Sequence, residues 1–277
     1  RIVSEWVQTS ESQKNDCVAL AAGLSAVLRR LAAVMRALAW VLPLSVNRDD
    51  GLPFVEVEEA RWLVDSGASR SVVRGSYPSG AVGATLRSCE ASVVDMDLRG
   101  YRGILGYDFL KAHASADFDF PRNALRLDEQ LLAAGEDVPF RELPFGSKAY
   151  PVVDVSVFAM DACEAVGLVD SASPITLCNA KCDDGAGLFA DAAAEPRTTT
   201  GVDGRAVRLR GSTAAGLRVG SVFEKAGVSL AVADTPSMAQ LGFSDEPFLL
   251  LGLDVLGDHF AFDFRTMSLR LFSRSRR

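Results

Sequence analysis

Histidine is nearly absent from this chain and cysteine is sparse, two and five among 277 residues. Cys178-x3-Cys182 has the spacing of half a metal site. No second Cys or His pair accompanies it, and His113 and His259 stand far away, so no metal is expected; buried thiols or one local disulfide are. An odd count, Cys17, Cys89, Cys163, Cys178 and Cys182, leaves the redox compartment open. Basic residues are outnumbered, 29 Lys and Arg against 36 Asp and Glu, for a net charge of −7. That argues against a nucleic-acid partner, which would need a basic face. No run of 18 uncharged apolar residues occurs, so a conventional spanning helix is excluded. There is no G-x-S-x-G and no histidine in a nucleophile's context, which removes the serine-hydrolase reading. Phosphate-binding glycine loops are missing too, so neither a nucleoside triphosphate nor a dinucleotide is expected.

What is present is ordinary for a folded protein, 48% hydrophobic and 23% charged. The length suits one large domain or two lobes of roughly 100–140 residues. Within residues 17–42, Leu20, Leu24, Val27, Leu28, Leu31, Val34, Met35, Leu38 and Val41 recur at helical spacing. Ser25, Arg29 and Arg36 take the opposite side, and Pro43 stops the pattern. Residues 1–42 are therefore expected to be a helical extension packed on the main body. An interfacial membrane helix or the tail of a transit peptide is the alternative. The chain opens on Arg1 rather than Met, which points to a trimmed N-terminus whose targeting signal has gone.

The organising fact is a repeat. "LVDSGASRSVV" at 63–73 returns as "LVDSASPITLC" at 168–178. Downstream, "GILGYDFLKAHASADFDFPRNALRL" at 103–127 returns as "LLGLDVLGDHFAFDFRTMSLRL" at 250–271. Gly106 matches Gly252, Asp108 matches Asp254 and His113 matches His259. After a two-residue gap, Phe118-Asp119-Phe120 matches Phe262-Asp263-Phe264, and Leu125-Arg126-Leu127 matches Leu269-Arg270-Leu271. Two duplicated, diverged lobes follow: 43–135 carrying Asp65 and 136–277 carrying Asp170, joined through a linker around 135–146.

Both lobes read as β structure. Apolar runs flank turn clusters and lead into each aspartate, and the FDF segments read as ribbons turning through Pro121-Arg122-Asn123 and Arg265-Thr266-Met267. Helices are expected only at 17–42, after each Leu-Gly, and in "LDEQLLAAG" between the lobes.

An apolar strand ending in Asp-Ser-Gly, followed later by two apolar residues and Gly, resembles the signature of pepsin-like and retropepsin-like aspartic proteases. Leu63-Val64-Asp65-Ser66-Gly67 with Ile104-Leu105-Gly106 fits the first lobe, and Leu168-Val169-Asp170-Ser171 with Leu250-Leu251-Gly252 fits the second. The likeness spans residues 45–272. It implies a bilobal, mainly β fold in which Asp65 and Asp170 meet as a catalytic pair. Amide hydrolysis by water needs a base and an acid, and two opposed carboxylates sharing one proton supply both, which is why the phrase is written twice. The resemblance also implies that Ser66 and Ser171 orient the carboxylates and that Gly67 brings its N–H close to one of them.

Two departures stand out. Ala172 replaces the second glycine: at negative φ the methyl costs little, at positive φ about 1–2 kcal/mol. Asp65 and Gly106 are 41 positions apart, against 82 for Asp170 and Gly252. The first lobe has room for only the stub of a substrate-covering flap, at 76–84 with Tyr77. The covering hairpin is expected in the second lobe, at 198–211, with Val202, Asp203, Gly204 and Arg205 at its tip.

Asp108 and Asp254 are expected to cap or orient the short helices after them, and the paired histidines to be features of the fold. Asp119 and Asp263 are assigned to salt bridges or solvent. The resulting expectation is an aspartic endopeptidase acting on polypeptide, monomeric and without cofactor. The alternative is a catalytically impaired relative that binds peptides. An acidic secretory compartment and an organelle fit the sequence equally.

Overall fold

Residues 40–272, apart from 49–50, 96, 130, 132–133, 189–196 and 201–205, are described by a computed structural model. Strands dominate, and the described residues belong to one compact unit. In the first half these are β1 (Trp40–Val46), β2 (Pro53–Val57), β3 (Ala60–Val64), β4 (Val72–Arg74), β5 (Ser92–Val94), β6 (Gly103–Leu105), β7 (Ser115–Asp119) and β8 (Ala124–Leu127). Helices α1 (Gly80–Ser88) and α2 (Tyr107–Lys111) interrupt them. The second half adds β9 (Glu136–Pro139), β10 (Arg141–Phe145), β11 (Lys148–Phe158), β12 (Ala162–Val169) and β13 (Leu177–Cys178). After these come β14 (Arg197–Thr200), β15 (Ala206–Val219), β16 (Phe223–Val232), β17 (Phe248–Leu251), β18 (His259–Asp263) and β19 (Ser268–Leu271). Its helices are α3 (Ala180–Ala186), α4 (Pro236–Gln240) and α5 (Leu253–Leu256).

The expected helix over 17–42 lies outside the described residues up to position 39, and its last three residues are not helical. Trp40, Val41 and Leu42 begin β1, whose burial alternates along the strand. Pro43, read from sequence as a helix stop, sits where β1 leaves β8 and joins β2: Pro43 is opposite Ala124 and Leu44 opposite Val55. A residue without an N–H suits that handover. Pro139 repeats the device, closing the β9–β19 pairing just before β10 joins β11.

The same β–β–loop–β plan appears twice. Asp65 follows β3 and Asp170 follows β12, and each of these strands is backed by a parallel partner in matching register, Val64 opposite Leu105 and Val169 opposite Leu251. Antiparallel β7 and β18 join the halves. The spacing that relates Phe118 to Phe262 also relates Asp117 to Ala261, and those two residues face each other across the ladder. The pseudo-twofold axis therefore passes through that pair. The expected ribbon turns are both present, with the matched residues Asn123 and Met267 both left-handed at φ 52° and 54°.

The core gathers beneath this junction. Phe118 stacks on Phe260 with centroids 4.5 Å apart, and Phe140 meets Phe262 edge-on at 5.7 Å. Each ring, fully withdrawn from water, contributes about 2–3 kcal/mol. The β2–β3 hairpin turns on Glu58 and Glu59, both left-handed, at a cost of about 1 kcal/mol each. Glu58 offsets part of it by accepting the Ser79 N–H (2.9 Å) and the Ser79 hydroxyl at the start of α1.

Candidate active site

Each aspartate loop is fixed by the Leu-Gly segment alongside it. The Asp65 N–H donates to Leu105 O and the Asp170 N–H to Leu251 O, both at 3.0 Å. Tyr107 N–H donates back to Ala68 O (2.7 Å), and Leu253 N–H to Ser173 O (2.8 Å). The contacts are tight enough to require glycine: a Cβ on Gly106 would lie 2.8 Å from Ala68 O, and one on Gly252 2.5 Å from Ile175 O.

The two loops then hold each other. The Ser66 N–H donates to Ser171 Oγ (2.9 Å), and the Ser171 N–H to Ser66 Oγ (2.9 Å). The Ser66 hydroxyl donates to Val169 O (2.8 Å) and the Ser171 hydroxyl to Val64 O (3.0 Å). Both serines are fully buried. Each hydroxyl thus bonds the carbonyl just before the opposite aspartate, not the carboxylate that it was expected to orient. Each reaches across to the opposite loop, so they fix the distance between the loops rather than the rotamer of either aspartate.

This grip brings the Asp65 and Asp170 carboxyls within hydrogen-bonding reach of each other. Burial, and next the neighbouring Asp170 charge, raise Asp65 well above the carboxylate range. Burial raises Asp170 to about 6, against the pull of the Ala172 N–H, which donates to its Oδ1 at 2.9 Å. Asp65 Oδ1 is shut off from solvent without a hydrogen-bond partner among the described residues. Two such groups give up their protons in two separate steps, and between those steps they share a single proton, one a carboxylate and the other a carboxylic acid.

The two positions that differ between the copies are explained by this packing. A Cβ on Gly67 would lie 2.6 Å from Asp170 Cγ, so glycine is needed there by close approach to the opposite carboxyl. Ala172 is not among the residues with positive φ, and its methyl packs against a first-half cluster that includes Leu52, Phe54 and Leu63. Of the two cases, the inexpensive one holds.

The hairpin expected at 198–211 is present as β14 and β15, paired from Arg197 opposite Leu209 to Thr200 opposite Ala206. Its tip residues Val202, Asp203, Gly204 and Arg205 lie outside the described residues. The flap stub expected at 76–84 is a correction: Gly80–Ser88 forms α1. Tyr77 packs on the core and donates its hydroxyl to Ala91 O (2.7 Å) instead of covering anything.

The remaining repeated residues serve the fold. His113 Nδ1 is 2.7 Å from Asp128, and His259 Nε2 is 2.8 Å from Asp117. Asp119 accepts from Arg122 and Arg126, and Asp263 from Arg265. Asp108 and Asp254 do more than orient helices. Asp108 Oδ1 accepts the Ser71 N–H (2.8 Å), the Ser71 hydroxyl (2.6 Å) and the Phe109 N–H (2.8 Å). Asp254 Oδ1 accepts the Thr176 hydroxyl (2.6 Å). Ser71 and Thr176 each close an aspartate loop, and their Oγ atoms take the N–H groups of Gly106 (2.9 Å) and Gly252 (3.1 Å). Sequence reasoning missed both, although each stands six residues after its aspartate.

Cys163, Cys178 and Cys182 are free, buried thiols, and Cys182 shares hydrogen bonds with the other two. Among the described residues no group of three His, Cys, Asp or Glu could hold a metal ion, and no helix is long and apolar enough to cross a membrane. No protein-family model matches the chain, and no curated protein matches it in sequence.

Proposed function

We propose that the chain is an aspartic endopeptidase of the pepsin-like and retropepsin-like kind. The observation that supports this most is the reciprocal Ser66–Ser171 grip, which sets two acid-shifted carboxyls side by side at the ends of duplicated strands. In this reading the carboxylate takes a proton from a water while the carboxylic acid protonates the scissile carbonyl. The resulting tetrahedral diol collapses as the dyad returns a proton to the leaving nitrogen. The C–N bond breaks, a C–O bond forms, and the dyad regains its single proton. The substrate class is polypeptide, covered on one side by the β14–β15 hairpin.

A second reading, a peptide-binding relative with impaired chemistry, is favoured by α1 standing where the first half would carry its own covering hairpin. Cleavage of casein across pH 3–8 separates the two. The endopeptidase reading expects activity in acid that pepstatin blocks and Asp170→Asn abolishes. A folded wild type that cleaves nothing, but binds casein-derived peptides, transfers the assignment to the binding module.

A further inference from the structure

Asp108 is joined to the second half of the chain as well as to its own. Its side chain is only 8% exposed. One oxygen carries the three bonds that hold Ser71 and the start of α2; the other, Oδ2, is closed to solvent with no hydrogen-bond partner among the described residues. The counter-charge to Oδ2 is the Lys148 ammonium, 3.4 Å away. Lys148 opens β11, so it belongs to the half that carries Asp170. Its ammonium also donates to Cys89 O (2.9 Å) just after α1. The other charged groups of the surrounding cleft, Lys111 and Glu142, satisfy each other at 2.7 Å, with the Tyr107 hydroxyl donating to Glu142. The Cys89 thiol beside Asp108 is held neutral, its pKa pushed up to about 11 chiefly by burial.

A buried carboxylate that accepts three donors on one oxygen holds its geometry only if the other oxygen is compensated. We infer that Lys148 is a positioning residue: through Asp108 and Ser71 it makes the shape of the Asp65 loop depend on the second half being docked. The chain Lys148–Asp108–Ser71 ends on the loop whose first residue is Asp65. Removing the ammonium leaves Asp108 buried and uncompensated, and the Ser71 anchor loosens. Glu142 crosses between the same two halves without touching Asp108, and so separates loss of docking from loss of this relay.

The inference as it bears on rate rests on the endopeptidase reading, so its test has an arm that does not. Amide hydrogen exchange is compared for wild type, Lys148→Met, Lys148→Arg and Glu142→Gln. Lys148→Met should speed exchange at the Ser71 and Asp65 amides about 10-fold, leaving the β7–β18 ladder unchanged, because only the local anchor is released. Lys148→Arg should restore protection, and Glu142→Gln should not reproduce the effect. If casein is cleaved, Lys148→Met should lower kcat about 10-fold with KM little changed, since misplacing a reacting group by a fraction of an ångström has that effect. Unchanged exchange in the 65–71 loop of Lys148→Met, or the same acceleration in Glu142→Gln, overturns the inference. A wild type that cleaves nothing sinks only the endopeptidase reading, because exchange still decides on Lys148. Should Lys148→Met not fold, Lys148→Gln takes its place in the same comparison.

Discussion

Gly67 and Asp170 belong to different halves of the chain, yet a single methyl group on the glycine would sit 2.6 Å from the aspartate's carboxyl carbon. The two copies of the motif are therefore not interchangeable. Gly67→Ala must push Asp170 aside, and is expected to lower stability by about 1–3 kcal/mol and activity on casein by about 100-fold. Ala172→Gly should keep the activity and cost at most about 1 kcal/mol, through greater freedom in the unfolded chain. Urea titration beside a cleavage assay checks both. Equal losses from the two changes would show that the asymmetry has no consequence.

The acid-shifted dyad has a definite effect on stability. Both carboxyls are raised in the folded state, so the fold favours their protonated forms. Their contribution is fully present below the unfolded value of 3.8 and is lost as the pH climbs through about 6 and beyond. Asp65→Asn removes the like-charge conflict, and should raise the melting temperature at pH 7–8 while changing it little at pH 3.5. A melting-temperature profile that runs parallel for the two proteins across this range would contradict the assignment.

The carboxylates at the base of the sheet work in the opposite direction. Asp119 is held below its usual range by Arg122 and Arg126 acting against burial, and Asp263 by Arg265 in the same way. Depressed groups stabilise above the unfolded value near 3.8 and lose that contribution as the pH falls through their folded values. Arg126→Met should cost about 3–5 kcal/mol at pH 7, since Asp117 and Asp119 are left buried with a reduced counter-charge, and distinctly less at pH 3. Denaturant melts at the two pH values give the difference.

Ser66→Ala removes a hydroxyl that both donates to Val169 O and accepts from the Ser171 N–H. Two buried backbone groups lose their partner, so about 2–4 kcal/mol is expected, with loss of cleavage because the loops part. Ser171→Ala should behave alike. The double variant should cost less than the sum of the singles, because each hydroxyl helps to hold the other's loop. Full additivity would argue against one cooperative device.

How far the sequence foretold this arrangement can be traced residue by residue. The duplicated phrases located Asp65, Asp170, both serines and the ribbon turns, because each copy repeats the same strand–loop–strand register. They also pointed to the hairpin of the second half, through the longer stretch before Gly252. The same counting placed a stub where α1 forms, since a small-residue stretch such as "GAVGATLRS" carries little periodicity to separate helix from turn. Trp40 to Leu42 continued a helical pattern by chance of spacing and were claimed by the sheet instead. The direction of the serine hydroxyls was invisible, because what each one meets lies more than a hundred positions away. Lys148 was illegible too, because nothing adjacent to it in the sequence announces Asp108.

The facing of Asp117 and Ala261 on the axis has a temporal side. Strands β7 and β18 must find each other across more than half the chain, and such distant closures are slow compared with forming either half's own hairpins. During synthesis from the N-terminus, Asp65 emerges early and waits beside nothing. The carboxyl pair comes into being only when the closing strands are made and the halves meet. A nascent or truncated chain that ends before β18 thus carries both aspartates without the β7–β18 closure that joins the two halves.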